Sequence, residues 1–168
     1  MEVTLHSKSQ QPIHLSYQVL SALIQALPDN PNYQAFYSEQ ANHPSSEVRS
    51  AIAAKEHLTE AAIHQLAKDS SSAVLDQLVY NPSAQAQLNP VDLEGIFARS
   101  VEAAKIVTYT LDRWNDQKSI VELLLQHPDP MIRYALAQDS NLAKPLLAKL
   151  LKDPDSAVVD AANRTLAR

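Results

Sequence analysis

Six histidines, nineteen carboxylates and one tryptophan are the side chains on which chemistry could rest. A metal site built on a helix needs spacings such as H-x-x-x-H or H-E-x-x-H, which bring two imidazoles to one face. His6, His14, His43, His57, His64 and His127 offer neither spacing, and a helix break separates His57 from His64. His43 and His127 each precede a proline, so that pair reads as turn chemistry. Asp69, Asp129, Asp139, Asp153 and Asp155 fall mainly between predicted helices. There a carboxylate caps a helix or offsets its dipole, whereas acid–base catalysis needs two carboxylates across one cleft. Ser45, Ser46 and Ser70–Ser72 stand in no G-x-S-x-G elbow. With no Cys there is no thiolate nucleophile, and with one Gly there is no phosphate loop. A non-enzyme without cofactor or metal is expected.

The aromatic and basic residues suggest binding instead. In TYTLDRWNDQ (108–117), Trp114 falls in a break between two helices beside Arg113, with Tyr109 about one turn back. Exposed Trp, Tyr and Arg are enriched in binding hot spots. The alternative is that Trp114 and Tyr109 fill a gap in the core, since aromatic rings carry large burial energies. The contact zone is expected at Tyr80, Arg99, Tyr109, Arg113 and Trp114, with Arg133 and Tyr134 beyond.

The elements that must carry these residues are short and recurrent. HPDPMIRYALAQDSNLAKPLLAKLLKDPDSAV (127–158) matches HPSSEVRSAIAAKEHLTEAAIHQLAKDSSSAV (43–74) at a constant offset of 84. Within each stretch the motif returns after 26 residues, Val48 to Val74 and Ile132 to Val158. A step of 26 back from Ile132 reaches Ile106, and the gap from Val74 to Ile106 is 32. The unit between is therefore longer by about six residues, expected around Asn81–Gln87 and Arg99–Ala103. Val48, Ala51 and Ile52 form one helical stripe, and Ala62, Ile63 and Leu66 form another. Ser45, Thr59, Asn89 and Asp129 stand at N-cap positions, with Pro90 and Pro130 just inside. Helices of about nine residues are marginal alone, because nucleation outweighs so few hydrogen bonds. Each pair must therefore cover its neighbour's apolar flank, which makes an all-α solenoid of helical pairs with about 26 residues per unit. Residues 1–13 read as a flexible arm and 14–168 as a single solenoid domain. Within it, 14–42 are capping helices sealed by Tyr33, Phe36 and Tyr37, 43–153 the repeats, and 154–168 a C-terminal capping helix.

These units resemble the variant leucine-rich repeat, a short HEAT-like repeat. The resemblance rests on the D/P-rich turn, the V-R or I-R dipeptide, the apolar stripe and the closing L-x-x-D, and covers about three quarters of the chain. It implies a right-handed superhelix and binding of a macromolecule along its surface. One protein of that kind is associated with a cysteine-ligated iron–sulfur cluster, which a chain without Cys does not carry over. The dipeptide's arginine stands at Arg49 and Arg133 only; Leu75, Val107 and Val159 take the other places, so an Arg–Asp ladder would be interrupted.

Net charge is −5. Residues 1–84 hold four basic against eight acidic residues, and the remainder ten against eleven. No basic face is evident, which weighs against nucleic-acid binding driven by phosphate contacts. HEAT-like alkyl-base DNA glycosylases, which need a basic groove, are for that reason a rival reading only. A second rival is a small-ligand-binding or lyase-type chaperone solenoid. The N-terminus lacks a basic region followed by an apolar core, and no apolar run nears the ~18 residues that span a bilayer. The expectation is a cytoplasmic adaptor, monomer or weak dimer, that binds another protein and neither nucleic acid nor membrane.

Overall fold

Most helices open on a side chain that satisfies backbone N–H groups otherwise left bare. In the computed structural model Ser16, Thr59, Asn81, Asn89, Ser100, Asp116, Asp129 and Asp155 all accept such bonds. Ser45 also stands at an N-cap, but its hydroxyl makes no capping bond. The structure describes residues 4–6 and 12–168. The chain divides into two compact units, Met1–Leu88 and Asn89–Arg168.

The first unit opens on a ribbon of two antiparallel strands, β1 (Thr4–His6) and β2 (Pro12–His14), with Leu5 opposite Ile13. The rest of the expected arm, 1–3 and 7–11, lies outside the described residues. Helices follow: α1 (Tyr17–Ala26), a 3-10 turn (Pro31–Tyr33), α2 (Gln34–Gln40), α3 (Ser46–Ala53), α4 (Glu60–Leu66), α5 (Ser72–Tyr80) and α6 (Pro82–Gln87). They form two rows. α1 packs on α3 and α3 on α5, while α2 packs on α4 and α4 on α6. Leu20, Ile24, Ile52, Ile63, Leu66, Leu75 and Leu78 are buried where the rows meet. Each such side chain contributes on the order of 1.5–3 kcal/mol, which these short helices do not supply alone. Tyr37 is fully buried, with Tyr33 and Phe36 half-buried against its ring.

The second unit holds α7 (Pro90–Phe97), α8 (Val101–Tyr109), a 3-10 turn (Leu111–Arg113), α9 (Gln117–Leu125), α10 (Pro130–Ala137), α11 (Lys144–Leu150) and α12 (Ser156–Leu166). α8 packs on α10 and α10 on α12; α7 packs on α9. Leu93, Ile96, Leu124, Leu136, Leu147 and Val158 are buried. Among the described residues every element but the ribbon is helical, and no helix is long and apolar enough to cross a membrane.

The extra length expected in one unit is divided between two places. Helices α3, α5, α8, α10 and α12 begin 26, 29, 29 and 26 residues apart. The first 29 includes α6, a helix of its own capped by Asn81; the second includes the 3-10 turn before Trp114. The stretch Arg99–Ala103 carries no inserted loop: it is the turn into α8, capped by Ser100.

Candidate functional site

The two His-Pro turns are built alike. Nδ1 of His43 accepts from the Ser45 N–H at 3.1 Å, and Nδ1 of His127 from the Asp129 N–H at 3.1 Å. Arg49 then donates to the His43 carbonyl at 2.7 Å, and Arg133 to the His127 carbonyl at 2.7 Å. Each guanidinium also forks onto one carboxylate: Arg49 onto Asp69 at 2.5 and 2.9 Å, Arg133 onto Asp153 at 2.7 and 3.0 Å. These hydrogen bonds raise both arginines above their ordinary value and hold the Asp153 carboxyl below the usual carboxylate range. Burial lowers His43, consistent with a ring nitrogen that must stay unprotonated to accept. All these shifted groups are engaged in holding turns. Among the described residues no three His, Asp or Glu side chains converge as a metal site.

The residues singled out for contact are scattered. Tyr80 ends α5 in the first unit and is exposed. Arg99 and Arg113 are exposed in the second unit, and Tyr109, the last residue of α8, is 66% exposed. Trp114 is not a surface residue: it is 3% exposed, and its indole N–H donates to the Thr110 hydroxyl at 3.3 Å. The 3-10 turn folds the ring inward, where its large apolar area is worth more than at a rim. Arg133 is half-buried and committed to Asp153, so it too is structural. Tyr134 is half-buried, its hydroxyl accepting from the Gln138 amide at 3.1 Å.

Two of that set border a depression, Tyr109 in one place and Arg133 in another. A cleft of about 490 Å³ lies in the second unit between the end of α8, the start of α9 and the α10–α11 turn. Leu111, Val121, Leu142 and Leu146 supply its apolar surface. Asp112, Asp139, Gln117, Gln138, Asn141 and Lys118 supply its polar groups. Asp139 accepts the Asn141 N–H at 2.8 Å. Of these polar residues only Asp139 was weighed in the sequence, as a turn carboxylate; each of the others looks like an ordinary turn or helix-end residue. A second depression, between α9 and the α11–α12 turn, is lined by pairs already engaged with each other, Arg133 with Asp153 and Lys149 with Glu122 at 2.6 Å.

Comparison with protein-family models, with curated proteins and with solved structures yields no match to this chain.

Proposed function

We propose that this chain is a non-catalytic adaptor of the HEAT-like, variant leucine-rich repeat kind. It is a right-handed solenoid of helical pairs that binds a partner protein in the cytoplasm. Support for the stacked architecture comes from side chains that tie the end of one helix to the helix two further on. Lys55 donates to the Leu27 carbonyl, Asn81 to the Ala53 carbonyl and Thr165 to the Ala137 carbonyl, each across 28 residues. A tie of the same span at three places along the chain is what a repeating architecture supplies. The unit length that fits the helix starts is 26 residues, lengthened to 29 twice.

One observation carries the adaptor reading: the cleft is open and aliphatic, with exposed Tyr109 at its edge. Aromatic rings beside apolar depressions are characteristic anchors of protein interfaces. Photo-crosslinking from an unnatural amino acid at position 109 tests it. A discrete cross-linked partner is expected from position 109 and not from position 160 on exposed Asp160 of α12. With the crosslinker carried instead at exposed Asp112 of the same cleft, Tyr109→Ala should lose that partner with helicity unchanged; equal capture from positions 109 and 160 would count against the reading. A small apolar ligand is the second reading, favoured only by the cleft's volume, which lies within the range of ligand sites. Saturable perturbation of cleft amides by a metabolite panel would select it.

A further inference from the structure

The two units correspond residue by residue. Adding 84 to Ser46–Ala53 gives Pro130–Ala137, and adding it to Glu60–Leu66 gives Lys144–Leu150, the bounds of α10 and α11. The correspondence reaches beyond the sequence match. Ser16 caps α1 as Ser100 caps α8, and Asn81 reaches Ala53 as Thr165 reaches Ala137. Three ties of the first unit nevertheless have no chemical counterpart in the second. The Tyr37 hydroxyl donates to the Pro28 carbonyl at 3.3 Å, and the place of Tyr37 is taken by Val121. The Lys55 ammonium, 7% exposed, donates to the Leu27 carbonyl at 2.7 Å, and its place is taken by Asp139. The hydroxyls of Ser38 and Thr59 meet at 2.9 Å, and Thr59 is replaced by Ala143. Valine and alanine have no polar atom to offer, and a carboxylate does not donate to a carbonyl. Val121, Asp139, Ala143 and Leu111, the counterpart of Leu27, all line the cleft. Where the first unit inserts a phenol and an ammonium, the second has open space.

We propose that the cleft receives a segment of the partner protein bearing a lysine next to an aromatic residue. The lysine takes the role of Lys55 at the end of α8, and the ring takes that of Tyr37 against Val121. This inference rests on the adaptor reading and names the chemistry of its partner. The charges favour it. Beyond the end of α8 the Leu111 carbonyl accepts the Trp114 N–H at 3.2 Å and keeps a second lone pair, and Asp112 and Asp139 stand in the lining against one cation, Lys118. The first unit shows an ammonium fitting a single helix-end carbonyl, a point acceptor that suits lysine better than the planar fork of arginine.

The test is an amide NMR titration of the full chain with capped hexapeptides centred on Lys-Phe, norleucine-Phe and Lys-Ala. The Lys-Phe peptide should shift the amides of Leu111, Asp139 and Leu142 and should weaken as salt is added. Norleucine in place of lysine should weaken binding roughly tenfold or more, as expected for a lost charge-assisted hydrogen bond. Asp139→Asn should weaken it less. Asp139→Lys, which restores the arrangement of the first unit, should abolish binding and raise the melting temperature. Equal binding of norleucine and lysine peptides, no shift at the cleft, or undiminished binding to Asp139→Lys each overturns the inference. So does tyramine alone binding as tightly as the peptide, which would make the occupant a free amine. The adaptor reading fails separately, by the cross-link at position 109.

Discussion

Two arginines hold the turns that precede their helices, and the cost of losing one is set by what it leaves behind. Removing Arg133 leaves the Asp153 carboxylate with the Asp155 N–H but no cation, and bares the carbonyls of His127 and Pro128. The side chains of Arg133 and Asp153 are only 11% and 5% exposed, so Arg133→Ala should cost about 3 kcal/mol in urea denaturation. The same pair fixes part of the acid response. Asp153 has a lowered pKa in the folded chain, so its contribution is present above the ordinary carboxylate range and is lost as pH falls through the folded value. His43 is also lowered, so its contribution is complete above about pH 6.5 and declines as pH falls below that value. Stability should therefore fall in two stages on acidification. His43→Asn, which keeps an acceptor for Ser45, should remove the upper stage. Trp114 is a core residue, and Trp114→Ala should cost about 3–5 kcal/mol. Trp114→Phe should cost distinctly less, because it keeps most of the ring and loses only the bond to Thr110.

At the scale of elements, helices this short depend on their ends. Asn81 is the clearest case: it is buried, its oxygen accepts from Ser83 and Ala84, and its amide donates to the carbonyls of Ala53 and Lys55. One side chain starts α6, closes α3 and so fixes the second row on the first. Asn81→Ala should cost about 2–4 kcal/mol, the sum of a lost cap and unsatisfied carbonyls. Asn89→Ala, which removes an exposed cap, should cost only about 1 kcal/mol by the same denaturation measurement. Gly95 lies inside α7, and a Cβ there would meet only the outer guanidinium nitrogen of Arg99 at 3.3 Å. Gly95→Ala gains about 0.5–1 kcal/mol of helix propensity, set against displacing that guanidinium by a few tenths of an ångström, so its net effect in the same denaturation measurement should stay below about 1 kcal/mol.

At the scale of the whole molecule, charge and internal correspondence matter most. A net charge of −5 offers phosphate little overall attraction, so the chain should pass through heparin at low salt without retention. Retention would revive a nucleic-acid partner. The offset of 84 joins His43 to His127 and also Lys55 to Asp139 and Tyr37 to Val121. Matching residues build matching turns, while the mismatched ones surround the cleft. The signal for the site was thus present as a charge reversal and a lost ring. It is invisible until one knows that Lys55 and Tyr37 both reach the end of α1.

The sequence by itself determined most of the helices and caps, though not α6 and not the missing bond at Ser45, and it determined the paired His-Pro turns. Those depend on spacing within a few residues, on proline geometry and on which side chains can accept from a bare N–H. The arginine of the V-R or I-R dipeptide was legible as a feature, but its pairing with an aspartate 20 residues on was not. Tertiary structure alone decided that Trp114 turns inward, that Arg133 is enclosed, that α6 is a separate helix and that a cleft opens at Asp139. Burial is a property of what lies across from a residue, and a local pattern carries no record of that neighbour.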